Sequence, residues 1–455
     1  MKQLRLFLLL AAGLFLTSCS EPQSDEFPNP DPPPTVGRHA VPIDQALGEL
    51  DDLLGVIDGQ GTRAGGVRTV AQVQTLHAQA LALTRSAGEP GEQPENLLYV
   101  VNFEDDAGYA VLGADDRLPA VLAVTDEGSL TTEELVRAAN GQTTPEEFTF
   151  PNEMLMNYVS GIGGIGGGGI GGGGIGGGGI PTGPFTDFDT QLGNPPAGFE
   201  GYEWSDWKNL EYVAPMVTTR WHQEDPFNRH CPVIGGETCV AGCAAIAMAQ
   251  IVASNHLHHN VSPGRIGNIS LNWTLIRQGI IDPDLLNRNS SIANQVALLV
   301  AALGLKLGMN YGVTQSGASI DDAEYCFKYI GYKGVNNHTF RPSYVRTMLW
   351  ERQRPTYVRA VNAQKEGHAW VADGWLYRRR DQYAVIFGKR SDYSVSNQTQ
   401  TLMHCNFGWG GRCDGFYHIG LFNTNEQAVI PDIDYTPVDD DYNGGKRMIT
   451  YTEMY

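Results

Sequence analysis

Basic residues are scarce in this chain: 31 Lys and Arg stand against 51 Asp and Glu, a formal net charge of −20 over 455 residues. A chain this acidic repels a phosphate backbone, which argues against nucleic acid as a partner. Cysteine is sparse too, with 7 in all and no CxxC pair, so a thiolate zinc site of the usual spacing is not expected. The apolar run near the start, Leu6 to Leu16, is too short to span a bilayer stably. What abounds is glycine, with 55 residues, many of them clustered. The length suffices for two or three domains whose cores need no disulfide. Hydrophobic residues at 42% and charged residues at 18% are those of a globular protein.

The short apolar run behind Lys2 and Arg5 has the form of a signal peptide, expected over residues 1–18. It ends in Leu16-Thr17-Ser18-Cys19, which resembles the processing motif of bacterial lipoproteins and makes Cys19 the expected lipid anchor. That implies an exported protein held at the membrane through a proline-rich, acidic tether over residues 19–40. Of the other cysteines, Cys231 with Cys239 and Cys405 with Cys413 are close enough in sequence to pair, and Cys326 is left over. Spacing leaves that pairing open.

The acidity is uneven, with 24 acidic side chains against 6 arginines between residues 20 and 160 and a nearly neutral remainder. The front part therefore has the composition of a separate domain. Apolar spacing predicts helices over Ile43 to Leu50 and Ala71 to Leu83, and strands over Leu97 to Phe103, Tyr109 to Leu112 and Val121 to Val124, with an acidic turn from Glu104 to Gly108. A small α+β domain over residues 41–160 results. Residues 161–180 contain three Gly-Gly-Gly-Gly-Ile units, a composition with no side chains to pack, and so form a linker whose ends average about 25 Å apart. Residues 181–455 then make one larger α+β domain, with helices expected at 243–253 and 294–304 and strands at 356–361, 369–373 and 383–387.

The chemistry centres on Gly242-Cys243-Ala244-Ala245-Ile246-Ala247-Met248-Ala249-Gln250-Ile251. Gly242 ends a loop and the alanines favour a helix, so Cys243 is placed at a helix N-terminus, where free N–H groups favour the reactive thiolate. Such a thiol needs a base. His368, 125 residues later in Gly367-His368-Ala369-Trp370, sits at a strand start behind a glycine and is the best candidate. His256, His258 and His259 are expected to crowd one loop, but no cysteine or acid lies near them in ligand spacing, so no metal is expected.

Four segments together resemble the streptopain-type cysteine peptidases, exported bacterial relatives of papain. They are Trp221-His222-Gln223-Glu224-Asp225-Pro226-Phe227-Asn228, the Cys243 segment, Gly367-His368-Ala369 with Asp373-Gly374, and Asn406-Phe407-Gly408-Trp409-Gly410-Gly411 with Asp414-Gly415-Phe416. In front, Tyr109 to Arg117 is similar to the family's prosegment. The resemblance implies a papain-like α+β fold, a helical half plus an antiparallel sheet half, behind an inhibitory prodomain. It implies peptide substrates and no cofactor. Carried over, Cys243 is the nucleophile, His368 the general base, Asn406 the residue that orients the imidazole, and Gln223 with the Cys243 N–H the oxyanion hole. Gly242, Phe407 and Trp409 support them. Phe407 stands where the family usually has tryptophan, and Ala245-Ile246 depart from its usual alanine and threonine pattern. Two other readings are a catalytically inactive relative that binds proteins and a different Cys-His enzyme, such as a transglutaminase-like enzyme or an amidase. All four chemical residues are present, which disfavours both.

Overall fold

The computed structural model describes residues 39–60, 68–81, 95–142, 149–163, 197–361, 367–422 and 445–454. The expected signal peptide, Cys19, most of the tether and nearly all of the glycine-rich linker lie outside these described residues.

In the front part, helix α1 (Ile43–Ile57) turns one stripe inward, Ala46, Leu50, Leu53 and Ile57, three or four residues apart as a helix requires. Four antiparallel strands follow: β1 (Val70–His77), β2 (Asn96–Phe103), β3 (Tyr109–Gly113) and β4 (Val121–Thr125). The last three are buried almost throughout, as their continuous apolar runs require. The helix expected over Ala71 to Leu83 is therefore a correction, because this stretch is β1 and a single 3₁₀ turn, Ala78–Leu81. Its apolar residues fit a helical period, but pairing with the full length of β2 overrides that local preference. Helix α2 (Thr132–Ala139) starts in a capping box of Thr131 and Glu134. Helix α3 (Thr149–Gly163) runs three residues into the expected linker.

The back part opens with β5 (Phe199–Trp204) and β6 (Lys208–Val213), then α4 (Cys243–His259), α5 (Trp273–Ile281) and α6 (Ser290–Lys306). Every residue of α4 from Ala244 to Asn255 is buried, which makes it the axis of the helical half. Its alanines let α6 approach, and Ala245 lies near Gly304 of that helix. The sheet half consists of β7 (Asn336–Thr339), β8 (Thr356–Val361), β9 (Gly367–Ile386), β10 (Lys389–Arg390), β11 (Ser396–Asn406), β12 (Gly415–His418) and β13 (Arg447–Thr450). The strands expected at 369–373 and 383–387 are two ends of β9, whose arginine-bearing middle is held by β11 on one edge and by β6 and β5 on the other.

These thirteen strands form one sheet, in the order β1-β2-β3-β4-β12-β11-β9-β8-β13-β7, with β5, β6 and β10 paired further along β9, and three short two-stranded ladders lie outside it. The front and back parts thus meet strand to strand, at Thr125 opposite Gly415, Val124 opposite Phe416 and Ala123 opposite Tyr417. A second clamp lies at α1, where Glu49 accepts from Trp207 Nε1 at 2.8 Å and from Arg380 at 2.5 Å. A buried cluster joins Phe150 and Leu155 of α3 to Trp370, Met403 and Phe407.

Gly415 is the residue that lets this seam close. A Cβ there would lie 2.3 Å from the Val124 carbonyl oxygen and 2.5 Å from the Thr125 Cα, and both are backbone atoms of β4. Gly415→Ala is therefore expected to cost the seam about 1–3 kcal/mol and to speed limited proteolysis of the front part. An unchanged digestion rate would show that β4 does not depend on this contact.

Candidate active site

Cys243 opens α4 directly after Gly242, whose φ of 86° is the left-handed conformation that glycine adopts without strain. Space also demands a glycine, since a Cβ at 242 would meet Met309 Sδ at 2.8 Å. The cysteine is half-buried, at the junction of α4 with the strands β8 and β9. Burial pushes its thiol pKa up, against the Ala369 N–H, the Arg359 charge and the helix N–H groups of Ala244 and Cys243, which all lower it.

His368 is the second residue of β9, next to that Ala369. Its Nε2 donates to the Phe407 carbonyl at 2.9 Å, which leaves Nδ1 as the nitrogen with a free lone pair. Trp409 stacks on the ring at a centroid distance of 4.4 Å, and Phe150 of α3 packs on it at 5.7 Å. So enclosed, the imidazole is pushed down to a pKa of about 4, by burial above all. It is neutral at neutral pH. Among the described residues no hydrogen bond joins it to the Cys243 sulfur.

Asn406 ends β11 beside Phe407 but does not reach the imidazole. Its Oδ1 accepts from Gln250 Nε2 at 2.8 Å and from the Gly408 N–H at 3.1 Å, and its Nδ2 donates to the Thr219 carbonyl at 3.0 Å. The acceptor that orients His368 is therefore the neighbouring Phe407 carbonyl, and Asn406 fixes the turn that presents it. The Phe407 N–H donates in turn to Asp414 Oδ1 at 2.8 Å. Phe407 is fully buried and stacks on Trp409 at 5.4 Å, so the phenyl ring fills the place expected for the family's indole. Gln223 is half-buried, and its carbonyl accepts from the Ala241 N–H at 2.8 Å, which holds it beside the turn into Cys243.

Several participants escaped the sequence reading. Gln250 lies two helical turns after Cys243, fully buried, and also accepts from Thr219 Oγ1 at 2.8 Å. Phe150, Asp126, His404 and Arg359 carried no local signal, because each matters through a partner far away in sequence. The six described cysteines are free thiols, so neither Cys231 with Cys239 nor Cys405 with Cys413 is bonded. The histidines at the end of α4 are engaged individually: His256 with Ser262 at 2.9 Å, His258 with the Met216 carbonyl at 2.8 Å and His259 with the Gln353 carbonyl at 3.2 Å.

A cysteine at a helix tip beside a histidine-bearing strand is the layout of a thiol peptidase, here docked to a front domain that covers the histidine. Residues 221–417 match the peptidase C10 family, and residues 67–140 match the Spi protease inhibitor. Residues 221–417 thus resemble a streptopain-type cysteine peptidase domain, and residues 67–140, ahead of them, an inhibitor-like prodomain. It is 24% identical over 243 residues to streptopain of Streptococcus pyogenes, which covers 45% of this chain and 54% of that protein. The chain thus spans about half the length of the curated relatives it matches. Among solved structures it is similar to a prointerpain A fragment of Prevotella intermedia, with 18% identity over 84% of this chain and 98% of the other and a TM-score of 0.46. It is also similar to active wild-type interpain A of the same organism, with 20% identity over 53% and 95% and a TM-score of 0.37.

Under the seam, His404 lies wholly buried between two carboxylates, with Nδ1 at 2.6 Å from Asp373 and Nε2 at 3.2 Å from Asp126 of the front part. Burial alone would lower its pKa, but Asp373 and Asp126 outweigh it and raise the value to about 10. A value raised above the ordinary 6.5 means that the stabilisation is complete below pH 6.5 and disappears as pH climbs through about 10. The unfolding free energy of the full chain, measured by urea titration, should fall across that window by on the order of a few kcal/mol. Asp126→Asn should move the fall to lower pH. The same pH dependence in both proteins would show that the triad is not coupled to folding.

Proposed function

We propose that this chain is the precursor of an exported cysteine endopeptidase, with Cys243 as nucleophile and His368 as general base. The observation that carries the reading is the placement of the Cys243 thiol at the tip of α4, against the N–H of the residue that follows His368. With its Nε2 proton held by the Phe407 carbonyl, His368 offers Nδ1 to take the thiol proton and later to give it to the leaving amine. The thiolate attacks the peptide carbonyl, and the Gln223 side chain with the Cys243 N–H stabilises the oxyanion. Asn406 and Gln250 act as positioning residues through the turn that carries Phe407.

The front part keeps this pair dormant. Phe150 covers the imidazole and burial holds it neutral, while burial likewise opposes the thiolate. Cleavage between Gly161 and Arg220 separates the prodomain and frees the pair. If Cys19 is the lipid anchor, the same cut releases the peptidase from the membrane. The motif at Leu16 to Cys19 supports that part of the reading.

Cys243→Ala and His368→Ala are each expected to lower peptide hydrolysis by the processed chain at least about a thousandfold. An epoxide inhibitor of thiol peptidases should label the processed wild type at Cys243 and leave the full chain nearly unlabelled. Hydrolysis that survives in Cys243→Ala would sink the reading.

A further inference from the structure

Arg359 is a half-buried cation without a hydrogen-bond or ion-pair partner among the described residues. It lies on β8 directly opposite Ala369, the neighbour of His368 on β9. Its guanidinium lies over Gly367, where a Cβ would come within 2.7 Å of Nη2 and 3.2 Å of Cζ. The glycine before the histidine thus makes room for this side chain. Among the described residues Arg359 has no carboxylate and no hydrogen-bond acceptor, although acids outnumber bases in the chain by 51 to 31. Its charge still reaches the Cys243 sulfur, whose pKa it lowers. Two residues earlier, on the same face of the strand, Tyr357 is fully buried and its hydroxyl also lacks a partner among the described residues.

The Arg359 guanidinium is half-buried and holds no acceptor among the described residues, so its donors are open to one that a ligand brings. A planar fork of donors fits a carboxylate with two parallel hydrogen bonds. We propose that Arg359 is a specificity-determining residue, whose guanidinium takes an acidic side chain of the substrate within two residues of the bond cut at Cys243. The inference rests on the peptidase reading and deepens it by naming a substrate class. Arg359 acts on substrate binding and leaves the proton transfers to His368.

Peptide sets that differ only by Glu, Gln or Lys, at each of the two positions on either side of the scissile bond, test it with the processed chain. At one position the wild type should cleave the Glu peptide with a kcat/KM about tenfold above its Gln isostere, mainly through KM. Arg359→Gln should erase that ratio, and Arg359→Glu should turn it toward Lys. Equal cleavage of Glu and Gln peptides by the wild type, or a ratio that persists in Arg359→Gln, overturns the role of Arg359 alone. A wild type that cleaves no peptide overturns the peptidase reading and this inference with it.

Discussion

The pairing of β4 with β12 is the interaction on which the rest of the architecture depends. It joins the inhibitor-like front part to the peptidase half as neighbouring strands of one sheet, so the contact between them is main chain to main chain. Two hydrogen bonds carry this contact inward. The Asp126 N–H donates to the Asp414 carbonyl at 2.7 Å, and the Asp414 carboxylate accepts from the Phe407 N–H, whose own carbonyl orients His368. The end of β4 is thereby linked through three residues to the imidazole. The same docking sets Glu127 in an ion pair with Arg220 beside Gly411, and brings α3 over the histidine.

Burial decides the chemistry of this state. A thiolate and imidazolium pair needs both groups charged, and a dry, aromatic surrounding disfavours each charge separately. Trp409, Phe407 and Phe150 provide that surrounding at His368, and only Phe150 belongs to the front part. Removing one aromatic wall changes the solvation of the ring without disturbing the hydrogen bond that fixes its tautomer. On the proposed function, a fold of this kind would hold a preformed site inactive with little rearrangement.

Much of this was legible in the sequence where the signal was local. The alanine run after Gly242 announced a buried helix with a thiol at its tip, and the glycine before His368 announced room beside the imidazole at a strand start. The Gly367 gap proved to be filled by Arg359, which sits on a different strand and left no trace nearby. Residues 71 to 77 read as helix because Val73 and Leu76 share a helical face, whereas the partner that makes them a strand lies about twenty-five residues on. The Asp126, His404 and Asp373 triad was invisible for the same reason, since 278 residues separate Asp126 from His404. Asn406 was found by its motif, but its reach was not, because the competing claim of Gln250 depends on how α4 crosses the sheet.

The central claim is that the front part keeps His368 neutral by enclosing it. A nuclear magnetic resonance titration of the His368 imidazole, assigned by its loss in His368→Gln, measures this in the full chain and again after processing. The account predicts a pKa near 4 in the full chain and a rise toward or beyond the ordinary 6.5 once Phe150 is gone. The same value in both forms would contradict it.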